Sequence, residues 1–424
     1  MKIENRKSRG AVFSRRALLV GAGAGAAPLV LPSGVLARQG QPGANGRVSV
    51  GFIGLGRRGR VLLERLAGNA VALCDVDRGQ LRLAAEIAGP GLEYYRDYRD
   101  LLCQRDIDAV VIATPDHWHA LQTVHACEAG KDVYVESPAC GTLAEATAMI
   151  QAAERFGSVV QVGAGGVWTQ AAVRAKTRIK AGELGRVSSV HCSGAPNRTD
   201  GGTAGSGVPP EELEWNLWLG PARWRAFSPD YLKGAFRWVR DLGGGNIGGQ
   251  GAHVFAAALS CLGISDLGIV KVSADGEASG EGLWDCPEFV SAHFELPEHE
   301  ISIRWEQQAE GSPFGATFEG EAGTLSIRRG DERSELAGEA EDGIPRKDQP
   351  RASFEQNWLD CIRNRNTPQV DLALGCRAAS LSILGNLACR LGRPLEWDSA
   401  TGRFVNDEQA NRLLSKPGRG PWQL

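Results

Sequence analysis

The 424-residue chain lacks a basic block in its body and any internal repeat, and its amino-terminal apolar run, from Ala17 to about Leu31, is shorter than the roughly 20 residues that a bilayer-spanning helix needs. These absences argue against nucleic acid as a partner and against a stable membrane span. Ten cysteines are scattered without a CxxC pair or a metal-ligand spacing, and several sit in apolar runs, such as Cys74 and Cys103. Most of them read as buried free thiols, in a chain that folds in a reducing compartment. Otherwise the composition, 42% hydrophobic, 23% charged and 7% aromatic, is near the average for globular chains, so large cores can be buried. The length suits two domains and a smaller piece. Glycine, at 55 residues, is in surplus and needs a location.

Charge is unevenly placed. The formal net charge is −3, yet residues 1–37 hold six basic residues (Lys2, Arg6, Lys7, Arg9, Arg15 and Arg16) against one acid, Glu4. The remainder, with 41 basic and 49 acidic residues, is a mildly acidic body at −8. Ser14-Arg15-Arg16-Ala17-Leu18-Leu19 leads into a weakly apolar Gly/Ala-rich run broken by Pro28, which closes on the small-residue site Val35-Leu36-Ala37. This pattern predicts a twin-arginine export signal and a periplasmic or otherwise exported protein. That route carries proteins already folded, so any cofactor the protein uses is expected to leave bound and to be regenerated on the same molecule.

After a Gly/Pro/Gln linker at 38–46, strands and helices alternate through residues 47–165. Apolar runs at 48–53, 70–74, 92–95, 107–113, 132–135 and 159–162 predict strands, and 57–67, 80–88, 98–102, 120–129 and 143–156 read as helices. Alternation of this kind predicts an α/β fold, a doubly wound parallel sheet with helices on both faces. Residues 166–424 are expected to form an α+β domain. Its longer strands, at 187–192, 269–273, 288–296, 301–306 and 324–328, predict a large, mostly antiparallel sheet. Late helices at 353–363 and 372–390 are expected to pack partly back on the first domain, and 330–350 reads as a surface loop.

Gly54-Leu55-Gly56-Arg57-Arg58-Gly59 follows the first strand and opens a helix, and Asp75 closes the second strand 21 positions after Gly54. This spacing predicts a dinucleotide site. The glycines permit a tight turn and close backbone approach, the helix start faces the pyrophosphate, and the acid accepts from ribose hydroxyls. A carboxylate there repels a 2′-phosphate, so NAD is favoured over NADP, with Arg57 and Arg58 softening the preference.

Further motifs are Thr114-Pro115-Asp116-His117-Trp118-His119, Lys131 through Glu136-Ser137-Pro138, Trp215 through Pro221, and Gly243-Gly244-Gly245 through Gly251-Ala252-His253. With them the chain resembles the family of glucose-fructose oxidoreductase, inositol dehydrogenase and the rhizopine-catabolism oxidoreductases, Gfo/Idh/MocA. The resemblance implies that Thr114, Pro115 and His119 line the cofactor cleft, and that Glu136 touches the ribose beside the nicotinamide. It also implies a small carbohydrate-like substrate and a homo-oligomer paired through an open sheet face. His117 and His119 invite a metal pair, but no third ligand stands at a suitable spacing, and no metal is expected.

The chain departs from this family at its catalytic positions. The family tripeptide Glu-Lys-Pro, whose Lys polarises the substrate hydroxyl, reads Glu136-Ser137-Pro138 here, and a serine hydroxyl brings no positive charge. Gly249 and Gln250 stand where an Asp-Trp pair is usual, which leaves His253 as the candidate base. Asp241 offers a carboxylate from another direction, ahead of a glycine loop at 243–251. Trp168, Trp215, Trp218, Trp224 and Trp238 either stack on a sugar ring or cement the two domains. His191, His293 and His299 read as core or surface positions on strands. The expectation is an NAD-dependent oxidoreductase acting on a sugar, cyclitol or glycoside, with His253 taking the hydroxyl proton. The alternative is a catalytically impaired member that keeps NAD and recognises a glycan or a partner.

Overall fold

The computed structural model describes residues 47–198, 202, 207–276, 282–307, 314–328 and 353–424, apart from the side chains of residues 166 and 168. The expected export signal at 1–37, the expected linker at 38–46 and the expected loop at 330–350 lie outside these residues. Six short strands, β1 (Val50–Ile53), β2 (Ala70–Cys74), β3 (Glu93–Tyr95), β4 (Ala109–Ile112), β5 (Asp132–Glu136) and β6 (Val160–Gly163), form one parallel sheet in the order 3-2-1-4-5-6. Every residue of β1, β4, β5 and β6 is buried, so these strands read as continuous rather than alternating apolar runs. Connecting helices begin where the sequence supplies caps. Asp77 accepts from Gly79 N at 2.7 Å to start Arg78–Ala88, and Thr142 accepts from Glu145 N at 3.1 Å to start Leu143–Phe156. Strand order reverses between β1 and β4, which leaves a crevice at their carboxyl ends, the ligand position of this Rossmann arrangement.

A second sheet contains β7 (Val187–Gly194), β8 (Ile269–Asp275), β9 (Ser291–Leu296), β10 (Ile301–Gln307), β11 (Gly315–Gly320), β12 (Gly323–Arg328), β13 (Leu395–Asp398) and β14 (Arg403–Phe404). Its order is β12-β11-β7-β10-β9-β8-β13-β14, with every pairing antiparallel except β7 with β10. Burial alternates along it. Ala292, Phe294, Ile303 and Trp305 face the core, while His293, Glu295 and Arg304 lie on a polar outer face, where His191 meets Glu306 at 3.0 Å. The helix Leu372–Leu391 joins the two sheets. A Cβ on Gly375 would meet Val162 of β6 at 2.4 Å, and one on Gly385 would meet Phe294 of β9 at 3.2 Å. Among the described residues only this helix is long and apolar enough to cross a membrane, and its burial between two sheets accounts for that composition. The helix Phe354–Asn364 packs Trp358 edge-on against Tyr134 of β5 at 5.7 Å.

Two local expectations change. The loop read at 243–251 is helical over its second half, where a π turn, Ile247–Gly251, runs into the helix Ala252–Leu262. The turn packs closely at two points, Gly251 against Phe255 and Ile247 against Gly385, while Gly248 and Gly249 face open space. The tryptophans build a small separate core with Leu213, Phe227, Tyr231 and Phe236, in which Trp215 stacks on Trp218 at 4.8 Å. Trp238 packs against this cluster, Trp224 is exposed, and the side chain of Trp168 lies outside the described residues. The ten cysteines are free thiols, eight of them buried.

Candidate active site

The crevice opens into a cleft of about 1260 Å³, larger than the roughly 300–1,000 Å³ that suits a drug-sized ligand. The glycine turn forms its floor. Gly54 has φ +87°, and a Cβ on it would lie 2.7 Å from Thr114 N. A Cβ on Gly59 would lie 2.0 Å from Gly54 O, whereas one on Gly56 would meet nothing within 4 Å. Gly54 therefore makes the turn, Gly59 lets the helix Arg57–Leu66 settle on β1, and Gly56 leaves backbone open to a ligand. That helix has no acid in its first turn and no side-chain cap, so its N–H groups remain available to a pyrophosphate. Neither Leu55 nor Gly59 lines the cleft; Leu55 is buried, and its N donates to Asp75 Oδ2 at 2.6 Å.

Asp75 lines the cleft and accepts a second bond, from Asp77 N to Oδ1 at 2.9 Å. Burial pushes its carboxyl up to about 6, against the pull of those two N–H groups. An ionised carboxylate still has lone pairs for ribose hydroxyls. Arg58 is not free for a 2′-phosphate, because its Nε donates to Glu136 Oε1 at 2.8 Å; Arg57 stands exposed at the cleft edge. Glu136, at the end of β5, fits because Gly163 has no side chain: a Cβ there would meet its carboxyl carbon at 2.7 Å. Burial raises the Glu136 carboxyl above its ordinary value, and Arg58 opposes the rise. The bare Gly56 backbone, the uncapped helix start and Asp75 together fit a dinucleotide.

Ser137 lines the cleft beside Thr114 and Pro115, with Gly249 and His253 in the same lining. Thr114 Oγ1 donates to Gln122 Oε1 at 2.8 Å, which orients it. His253 sits on the first turn of Ala252–Leu262, and a Cβ on Gly249 would meet nothing within 4 Å. The position of the absent carboxylate is thus open volume.

Two candidates stand elsewhere. Asp241 does not line the cleft, because Arg225 donates to its Oδ2 at 2.9 Å. His119 is buried behind the cleft wall, with Nδ1 2.7 Å from Pro138 O and Nε2 2.9 Å from Thr114 O. It ties the loop after β4 to the loop after β5, although a neutral ring can donate to only one of the two carbonyls. Asn246 and Gln250 line the cleft and were not among the site candidates read from the sequence. Asn246 Nδ2 donates to Ala195 O at 3.0 Å and Pro196 O at 2.7 Å, which leaves Oδ1 as an acceptor. Gln250 Oε1 accepts from Ala195 N at 2.8 Å, which leaves Nε2 as a donor. The signal for Gln250 was its place in the family's Asp-Trp position; Asn246 had none.

Comparison with known proteins agrees with this architecture. Residues 48–164 match the model described as "Oxidoreductase family, NAD-binding Rossmann fold", and residues 203–424 match "Oxidoreductase family, C-terminal alpha/beta domain" of the same family. Inositol 2-dehydrogenase of Salmonella typhimurium is 31% identical over 150 residues, 34% of this chain and 45% of that protein. A glycosyl hydrolase family 109 protein of a Shewanella species is 38% identical over 120 residues, 26% of each chain. The matched region spans less than half the length of either relative. Among solved structures, the WlbA dehydrogenase from Bordetella pertussis, in complex with NADH and UDP-GlcNAcA, superposes with a TM-score of 0.63 at 18% identity, covering 82% of this chain and 98% of that one. Aldose-aldose oxidoreductase from Caulobacter crescentus gives a TM-score of 0.62 at 20% identity, covering 82% and 99%. At these identities the two structures show a shared fold.

Proposed function

Because the chain belongs to the Gfo/Idh/MocA oxidoreductase family, we propose that it is an NAD-dependent oxidoreductase that oxidises a carbinol carbon of a sugar, cyclitol or glycoside. Bound NAD supplies the hydride acceptor. The glycine turn and Asp75 hold the dinucleotide, Ser137 Oγ hydrogen-bonds the substrate oxygen, and His253 takes the hydroxyl proton as the C–H bond breaks. The observation that carries this reading is that Ser137 and His253 line the same cleft as Gly56 and Asp75. A neutral hydroxyl stabilises a developing alkoxide less than an ammonium group, so turnover leans on the proton acceptor. Redox-neutral chemistry is part of the proposal, with the hydride returned to a carbon of the same glycoside or of a second sugar.

The test is to assay the purified protein for bound dinucleotide, then follow nicotinamide absorbance and product across a panel of sugars and glycosides. His253→Asn is expected to abolish turnover while keeping dinucleotide bound. If Ser137→Lys abolishes the native activity, the serine is a specialisation rather than a decay. The second reading, a glycan- or partner-binding protein that retains NAD, is favoured by the uncharged Ser137 and the open volume at Gly249. Retained dinucleotide with no spectral change or product across the whole panel would select it. Two further parts of the proposal are export through residues 1–37 and homo-oligomerisation through the polar outer face of the eight-stranded sheet. Cell fractionation of Arg15→Lys/Arg16→Lys tests the first, and light scattering tests the second.

A further inference from the structure

We propose that residues 212–214 form a strap that shuts the adenosine end of the cleft and turns the dinucleotide into a resident group. The proposal rests on Asp75 marking the adenosine ribose. Immediately after Asp75, the loop that follows β2 is laced to residues 212–214 by a short antiparallel bridge, Asp77 opposite Leu213. Arg78 N donates to Glu212 O at 3.1 Å, and Glu214 N donates to Val76 O at 3.1 Å.

Arg96, which follows β3, clamps both sides of this bridge. Its NH2 donates to Val76 O at 2.8 Å and to Glu212 O at 3.0 Å, and its NH1 donates to Glu214 Oε1 at 2.9 Å. Outside the bridge, Arg82 grips Glu212 with two bonds, at 2.7 and 2.8 Å. Beneath it, Leu213 is buried and lines the cleft, and Val76 packs on the aromatic core of which Leu213 is part. The roof continues through Leu217 and Trp218 of the helix Trp215–Leu219, and the C-terminal segment fastens that helix down. Arg419 donates to Asn216 Oδ1 at 2.6 Å and to Gly220 O at 2.9 Å, while Trp422 packs edge-on against Trp118 at 5.1 Å.

The parallel-sheet domain and the aromatic core are therefore joined across the place where the ribose lies. A dinucleotide seated on Asp75 leaves either by unlacing this bridge, whose bonds break together, or by drawing its whole length through the substrate end. Release slower than turnover follows, and a cofactor held in this way must be re-oxidised where it sits.

The test measures retention rather than activity. The full chain is dialysed exhaustively, the dinucleotide released by acid is counted per protein, and the release rate of NADH is followed by loss of tryptophan-to-nicotinamide energy transfer against excess ADP-ribose. The intact protein is expected to keep close to one dinucleotide per chain. Arg82→Ala/Arg96→Ala is expected to release NADH at least tenfold faster. Arg82→Ala alone, which removes only an exposed ion pair, gives a smaller acceleration in the same direction and keeps the test informative if the double variant folds poorly. An intact protein that loses its dinucleotide on dialysis, or variants that release at the unmodified rate, would overturn the strap alone. A chain that binds neither NAD nor NADP would overturn the dinucleotide assignment along with it.

Discussion

Replacing Asp75 with Asn isolates the charge of the ribose-site acid while keeping its shape. Burial carries this carboxyl from 3.8 to about 6. At about 1.4 kcal/mol per pH unit, that shift is worth about 3 kcal/mol. The folded protein holds the proton more tightly than the unfolded chain does. Stability of the dinucleotide-free protein therefore falls as pH rises from about 4 to about 6, and the loss persists above that range. Asn has no such proton, so this slope disappears in the variant. The amide also turns one acceptor into a donor facing Leu55 N or Asp77 N, at a cost of about 1–3 kcal/mol, so stability near pH 7.5 changes little. Dinucleotide affinity has the opposite pH dependence. Ribose hydroxyls donate to the ionised acid, of which about a tenth is present at pH 5, so NAD affinity of the intact protein should rise about tenfold by pH 7 and then level off. In Asp75→Asn the affinity should be flat with pH and about 10–100-fold weaker, the loss of a charge-assisted bond worth about 1.5–3 kcal/mol. Fluorescence titration with NAD at four pH values, on protein stripped of dinucleotide in denaturant and refolded, measures both effects. Intact protein whose NAD affinity is constant from pH 5 to 8, or a variant that keeps full affinity, would refute the assignment.

Three other substitutions probe separate links. Gly59→Ala puts a methyl group 2.0 Å from Gly54 O, so the helix must lift from β1; thermal denaturation should show a loss of about 1–3 kcal/mol, together with weakened dinucleotide retention. Asp241→Asn should leave kcat/KM unchanged and cost about 1–2 kcal/mol, because Asp241 does not line the cleft and its partner is Arg225, in a half-buried pair; a hundredfold fall in kcat/KM would return it to the machinery. Gly249→Asp should fold at least as well as the parent, since its Cβ meets open space and glycine is a poor helix former. It should change kcat with little effect on dinucleotide binding, and destabilisation beyond about 2 kcal/mol would show that the volume is not open.

Much of the fold was legible in the chain because its signals are local. β1, β4 and β5 are buried on both faces, so each is a continuous apolar run wherever it lies. The Gly54 to Gly59 turn and Asp75 were legible for a related reason, since turn, helix start and acid belong to one β-α-β unit. The glycine run at 243–251 misled. Glycine ordinarily marks a turn, and here residues 247–251 continue into a helix, because Ile247 packs on Gly385 and Gly251 on Ser382 of Leu372–Leu391, more than a hundred residues away.

The sequence by itself determined the alternation of elements, the dinucleotide turn, the family and the absence of lysine at position 137. Period, spacing and residue type are properties of neighbours along the chain. Only the tertiary structure decided that Asp241 turns to Arg225, that His119 lies behind the wall, that Asn246 and Gln250 face the cleft, and that residues 212–214 bridge to the loop after Asp75. Each of those outcomes depends on which of several polar or apolar partners comes within reach after the two sheets dock, and local sequence carries no record of distances set by that docking.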